Sequence, residues 1–244
     1  MNRPPRFAIT DAALDGNLAR ISGAELHHMR DVMRLRVGAP IAMIDERGVE
    51  YYGRIKRFEA AHALVEIESR TDPKRNSSVI LAAAVIKGPR MDLMVEKAAE
   101  LGAAEFWPLI CARGLIRNPG AERLARWRRL AIAAAKQSLA SHPMEVAAPR
   151  DFQNLIAAPP PGTLAIICRQ GAPPLGRIIR EASVRNALIV CGPEGDFDPD
   201  EAASAERAGF RPAGLGPNRL RSETAAIAAL SIAAGVLDEI TQGA

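Results

Sequence analysis

The sequence predicts an α/β protein in which a domain with a mainly parallel sheet follows a small β-barrel domain. Three observations carry this. A seam of ten polar or turn-forming residues, 69–78, separates two hydrophobic regions. Before it, short segments with strand-like alternation crowd together, as in a small barrel. After it, short apolar runs alternate with helix-like segments over about 165 residues. The expected division is residues 1–72 and 73–244.

In order along the first part, a short helix is expected at 24–33, carrying His27, His28 and Arg30. Strands are expected at 40–44 and 49–58, joined by the turn Asp45-Glu46-Arg47-Gly48, and a third at 63–67. Beyond the seam, residues 79–86 read as a buried strand. A helix follows from about Met91 and stops at Gly102, a glycine suited to the left-handed position after a helix. Residues 104–110 read as the next strand and 121–139 as a long helix. Strands are expected at 164–168 and 188–191, with a helix at 174–182 between them. Asp198-Pro199-Asp200-Glu201 is a strong helix start, with a capping Asp, Pro in the first helical position and Glu two residues later. A strand at 210–215 and a helix at 222–240 complete the pattern.

Composition narrows the class. At 48% hydrophobic and 25% charged the chain is neither disordered nor collagen-like. Of 32 basic residues 27 are Arg, a side chain that binds phosphate bidentately and stacks on bases; a GC-rich coding sequence gives the same bias. Residues 76–150 carry a net +5 and 151–244 a net −3, a polarity that can steer a polyanion to one face. Cys111, Cys168 and Cys191 are far apart, which argues against a zinc site or a disulfide framework and fits a reducing cytoplasm. The start of the chain leads into no long apolar run. The longest uncharged, mostly apolar stretch, residues 224–237, is too short to span a bilayer, so no membrane association is expected.

Ligands of such sheets bind in loops beyond the carboxyl ends of strands. Two loops have suitable composition: Cys191-Gly192-Pro193-Glu194-Gly195-Asp196-Phe197, and the run from Leu215-Gly216-Pro217 through Asn218, Arg219, Leu220 and Arg221 to Ser222-Glu223-Thr224-Ala225-Ala226. Each alone is also compatible with a structural turn; the two together, after successive strands, favour a site. No G-x-x-x-x-G-K-[ST] loop and no dinucleotide-binding G-x-G-x-x-G occurs. Asp196, Asp198 and Asp200 mimic the opening of a calcium loop, but Glu201 replaces its glycine and Arg207 its bidentate Glu. The four histidines lack ligand spacing, so no metal is expected.

These loops, together with Lys87-Gly88, Arg90-Met91-Asp92 and Glu96-Lys97-Ala98-Ala99-Glu100-Leu101-Gly102, resemble the signatures of the SPOUT superfamily of RNA methyltransferases. They look like the branch that methylates N3 of a uridine in small-subunit (16S) ribosomal RNA, and the resemblance covers nearly the whole chain. It implies a C-terminal trefoil-knotted SPOUT methyltransferase domain, a rare exception to unthreaded topology, and a PUA-like β-barrel that binds RNA. It implies S-adenosyl-L-methionine as cofactor, held by Gly192, Pro193, Glu194, Gly195, Leu215, Gly216, Leu220, Arg221, Thr224 and Ala225. It also implies a homodimer. The small residues from Ala225 to Gly235 would suit helix packing between subunits, and equally suit packing within one.

Arg221 is the candidate for electrostatic catalysis and Glu194 for proton acceptor, with backbone hydrogen bonding as the alternative for Glu194. RNA contact is expected from Arg30, Arg34 and Arg36, from Lys87, Arg90 and Arg219, and from the long helix, where Arg123, Arg126, Arg128 and Arg129 surround Trp127; a solvated helix face is the alternative for each patch. Three positions depart from the family pattern: Asp196 where a second Gly is usual, Asn218-Arg219 where Arg and an aliphatic residue are usual, and Ala140 where an Arg is usual. They keep two other readings open, a SPOUT enzyme with another RNA target and an RNA-binding assembly factor without activity.

Overall fold

The structure, a computed structural model, describes residues 4–45, 48–71, 78–138, 140 and 142–242. Glu46 and Arg47 of the predicted turn, residues 72–77 of the seam and Leu139 at the end of the predicted long helix lie outside the described residues. The chain forms two compact units, Met1–Lys74 with Leu139–Pro143, and Arg75–Ser138 with Met144–Ala244.

The first unit is a six-stranded mixed sheet in the order β1-β4-β5-β6-β3-β2. Its strands are β1 (Arg6–Ala8), β2 (Leu14–Asp15), β3 (Leu18–Ser22), β4 (Pro40–Ile44), β5 (Glu50–Phe58) and β6 (His62–Thr71). β1 pairs parallel with β4, and the other pairs are antiparallel. The alternation read at 63–67 belongs to a longer strand, so the hydrogen-bonded ladder runs into the expected seam as far as Thr71. Strands β1 to β3 carry too few alternating residues to stand out in the sequence. The turn between β4 and β5 is tied by the buried Asp45, whose carboxylate accepts from the Val49 amide (2.9 Å) and the Tyr51 hydroxyl (3.1 Å). The expected helix exists as α1 (Gly23–His27) running into a π-helical turn, His28–Val32, with Leu26 and Met29 facing the core.

The second unit is an all-parallel sheet in the order β10-β8-β7-β12-β11-β13, with β9 beside β8. Its elements are β7 (Ser78–Ala84), α2 (Pro89–Glu100), β8 (Glu105–Ile110), α3 (Gly120–Ser138), β9 (Glu145–Val146), β10 (Arg150–Asp151), α4 (Phe152–Ala157), β11 (Leu164–Cys168), α5 (Leu175–Ala182), β12 (Asn186–Cys191), α6 (Pro199–Arg207), β13 (Arg211–Ala213) and α7 (Ser222–Gln242). Both faces of the sheet are covered, which is why β7 and β12 read as continuous apolar runs rather than alternating ones. Gly102 takes φ 78° behind α2, as the sequence indicates. Asp198 and Glu201 form a reciprocal capping box at the start of α6, as the sequence indicates.

One sequence expectation is corrected here. Trp127 is not the aromatic of a basic surface patch: with Ala131, Ala134 and Ala135 it forms the buried stripe of α3. The last helix, expected at 222–240, is found at Ser222–Gln242. Its 21 residues have the length and composition of a bilayer span, yet Ala226, Ala229, Leu230, Ala233 and Leu237 are fully buried in this unit's own core. Packing within one subunit therefore accounts for three of the small residues. Ala225, Ala228 and Ala234 are half-buried and Gly235 is exposed.

Candidate functional site

Because the sheet is parallel, β11, β12 and β13 end at one edge. Ile167 pairs with Val190 and Cys168 with Ala213, so Cys168, Cys191 and Ala213 are level there. The three segments that leave this edge enclose a cavity of about 290 Å³. The first predicted loop contributes Gly192, Pro193, Glu194 and Asp196; the second contributes Leu215, Gly216, Asn218, Arg219 and Leu220, with Ser222 and Ala225 from α7. The third is Cys168-Arg169-Gln170 after β11, which lies between β12 and β13 in the sheet. Sequence reasoning missed this segment, since an ordinary polar loop carries no glycine–proline signal.

The first loop is bolted to the core. The Asp196 amide donates to the Pro193 carbonyl (3.0 Å), closing a tight turn, and Asp196 itself takes φ 63°. Phe197 is buried against Phe152, with ring centroids 5.3 Å apart, and lies under Gly192. Glu201, buried in the first turn of α6, accepts from the Ala112 amide (2.7 Å) and the Asp198 amide (3.1 Å). Arg113 reaches the Gly195 carbonyl (3.3 Å) and the Asp198 carboxylate (3.4 Å).

The second loop is held by backbone. The Gly214 amide donates to the Pro173 carbonyl (2.7 Å) and its carbonyl accepts from the Leu175 amide (3.0 Å), so the chain passes too close to the Ala172 carbonyl for any Cβ at 214. Gly216 follows at φ 122°, a conformation that L side chains rarely adopt. Arg219 crosses to the first loop at the Glu194 carbonyl, 3.4 Å away.

Of the predicted cofactor residues, Gly192, Pro193, Glu194, Leu215, Gly216, Leu220 and Ala225 line the cavity; Gly195, Arg221 and Thr224 are exposed and do not. The Arg221 carbonyl accepts from the Ala225 amide (2.8 Å) at the start of α7, and its side chain is exposed. Asp196 and the pair Asn218-Arg219, two of the three departures from the family pattern, face the cavity. Its side-chain charges balance, with Glu194 and Asp196 against Arg169 and Arg219. Arg169 is itself paired with Glu206. The Cys191 thiol, at the cavity floor, is pushed well above its usual range, first by the hydrogen bond it shares with Cys168 and then by burial. Burial likewise pushes the Cys111 thiol up.

Beside the cavity, Arg90 in the first turn of α2 stands between two carboxylates. Its Nη2 donates to Glu194 Oε1 at 3.3 Å, and its Nη1 lies 3.9 Å from Glu223 Oε2. Glu223 is buried in the first turn of α7, and this oxygen accepts no hydrogen bond. An unsatisfied buried acceptor of this kind costs about 1–3 kcal/mol.

Of the other residues expected to meet RNA, Arg219 lines the cavity and the rest do not. Lys87 is exposed, and Arg126 is exposed but held by two hydrogen bonds to Asp92 (3.0 and 2.8 Å). In the first unit, Arg34 and Arg36 are exposed beside Val32 and Val37, which are 63% and 61% exposed. Arg30 pairs with Asp31, and that hydrogen bond, with one from His27, holds the Asp31 carboxyl below its usual range.

A parallel sheet with a glycine-lined cavity at its carboxyl edge defines a class, and residues 73–234 match the family of the RNA methyltransferase domain. The chain is 30% identical over 217 residues to the ribosomal RNA small subunit methyltransferase E of Synechocystis, covering 86% of this chain and 71% of that one. It is 32% identical over 232 residues to the same-named protein of Mycobacterium bovis, covering 91% and 87%. Among solved structures, the ribosomal RNA small subunit methyltransferase E of Neisseria gonorrhoeae, bound to S-adenosyl methionine, superposes with a TM-score of 0.73 at 28% identity, covering 94% of this chain and 96% of that one. The chain belongs to the ribosomal RNA small subunit methyltransferase E family.

Proposed function

We propose that this protein methylates N3 of a uridine in the 16S ribosomal RNA of the small subunit, with S-adenosyl-L-methionine as donor. The observation that carries the reading is the cavity at the ends of β11, β12 and β13, walled by the two glycine-containing loops. The residues present fit the cofactor. The crowded backbone at Gly214 and the left-handed Gly216 form a cradle without side chains. Pro193, Leu215, Leu220 and Ala225 offer apolar contact, and Glu194 and Asp196 suit a cationic group. When bound there, S-adenosyl-L-methionine supplies a methyl group on a positively charged sulfur.

The residues of the chain have three tasks. The loops fix one orientation and exclude water. Glu194 accepts the N3 proton of uridine, whose nitrogen is a poor nucleophile until that proton leaves. Arg221 stabilises the resulting uridine anion or holds a neighbouring phosphate. Arg30, Arg34, Arg36, Lys87, Arg90, Arg126 and Arg219 contribute contacts to RNA phosphates, which makes affinity fall steeply with salt. In this reading residues 1–72 form a PUA-like RNA-binding barrel and residues 73–244 a trefoil-knotted SPOUT domain. The protein works as a homodimer in the cytoplasm.

Mass spectrometry of ribosomal RNA from a deletion strain tests the reading. Loss of one N3-methyluridine from 16S RNA supports it; an unchanged profile sinks it, and a different lost modification identifies another RNA target. Arg221→Ala is expected to keep cofactor affinity within a few-fold while cutting methylation about 100-fold or more. A second reading, an RNA-binding assembly factor without activity, rests on Asp196, Asn218 and Arg219 facing the cavity. Calorimetry with S-adenosyl-L-methionine separates the two, because only the enzyme requires binding.

A further inference from the structure

Among the described residues, Glu223 Oε2 is the one buried side-chain oxygen or nitrogen without a hydrogen-bond partner. Its place in the first turn of α7 suits a negative charge, and yet no donor has been provided. The cation facing it is Arg90, at 3.9 Å, beyond hydrogen-bonding range. The same guanidinium holds Glu194 at 3.3 Å, which is also long. Arg90 therefore sits between two acceptors and satisfies neither fully. A planar guanidinium with five donors can serve either, and the side chain is 40% exposed, free to move on a backbone anchored by the buried Met91. A movement of less than about 1 Å would bring Nη1 onto Glu223 and release Glu194. Among the described residues, the other cation at Glu194 is Arg219, which touches its backbone carbonyl and not its carboxylate.

We propose that Arg90 and Glu223 are positioning residues for the reaction: Glu223 is a second seat for Arg90, and occupation of that seat turns Glu194 from a paired carboxylate into a free proton acceptor. The inference rests on the reading of Glu194 as that acceptor. It gives a working reason for an unsatisfied buried carboxylate beside the cavity: full pairing of Glu223 at rest would fix Arg90 in one position.

A double-mutant cycle with Glu194→Gln and Glu223→Gln tests this on the full-length protein, read by single-turnover methylation of small ribosomal subunits, by calorimetry with S-adenosyl-L-methionine and by melting of the cofactor-free protein. Glu223→Gln is expected to slow methyl transfer about tenfold, since a neutral side chain no longer draws Arg90 away from Glu194. Cofactor Kd should stay within about twofold and the melting temperature should not fall, because a buried charge without a donor has been removed. In the Glu194→Gln background, Glu223→Gln should have no further effect on rate. An equal slowing in both backgrounds overturns the proposal while leaving Glu194 as the base. So does a lowered melting temperature or lost cofactor binding, which would make Glu223 a structural staple, and so does an unchanged rate. A Glu194→Gln variant with full activity removes the base assignment itself and the proposal with it.

Discussion

The two loops around the cavity each lead into a helix whose first turn carries a buried glutamate, and the two glutamates are treated differently. Glu201 receives two backbone amides and completes a capping box. Glu223 has a cation at 3.9 Å and an oxygen with no donor. Charge, burial and helix position match, so the difference lies in what the adjoining loop is for. The first loop is anchored by Glu201 and Phe197, whose contacts are spent on stability; the second leads into a carboxylate that has been left to do something else.

Four substitutions break or sharpen that contrast. The largest effect is expected from Phe197→Ala, which removes the ring that pins the first loop to Phe152; denaturant unfolding should show a loss of about 3–5 kcal/mol. A loss below about 1 kcal/mol would mean the loop is not anchored by its core contact. Next is Glu201→Gln. A carboxamide cannot accept at both ends, so one backbone amide is stranded and about 1–3 kcal/mol should be lost in the same measurement. Glu223→Gln is the matched control, with stability unchanged within about 0.5 kcal/mol or improved. If the two Glu→Gln changes cost the same, the contrast is wrong. The smallest effect is expected at Asp196→Gly. Relief of the left-handed φ is opposed by loss of the 2.8 Å bond from the Phe197 amide to its carboxylate and by the freedom glycine adds to the unfolded chain. The net change should stay within about 0.5 kcal/mol by thermal melting.

How much of this was legible varies with how local the cause is. The capping box at Asp198, the stop at Gly102 and the glycine–proline loops are dictated by residues a few positions apart, and each is found where the sequence puts it. The wall formed by Cys168-Arg169-Gln170 was hidden, because its place depends on β11 lying between β12 and β13, a fact of sheet order with no local mark. Trp127 was misread for a similar reason. Its neighbours in sequence are arginines, but its neighbours in space are the alanines one and two turns along α3. Glu223 sits inside a recognisable signature, yet its missing donor depends on Arg90 reaching in from another helix.

The centre of the parallel sheet has a consequence for the order in which the molecule is made. Ser78 at the start of β7 meets Asn186 at the start of β12, its partner 108 residues later, through a 2.9 Å hydrogen bond. All six strands of the first sheet, by contrast, lie within residues 6–71 and pair among themselves. Synthesis at about 5–20 residues per second therefore releases a complete first sheet while β7, which gains β8 early, waits several seconds for its other neighbour, β12. The cavity, which needs β11, β12, β13 and the start of α7, closes last of all. Amide protection during synthesis or refolding should accordingly appear first in the strands before Thr71 and last around Gly192 and Gly216.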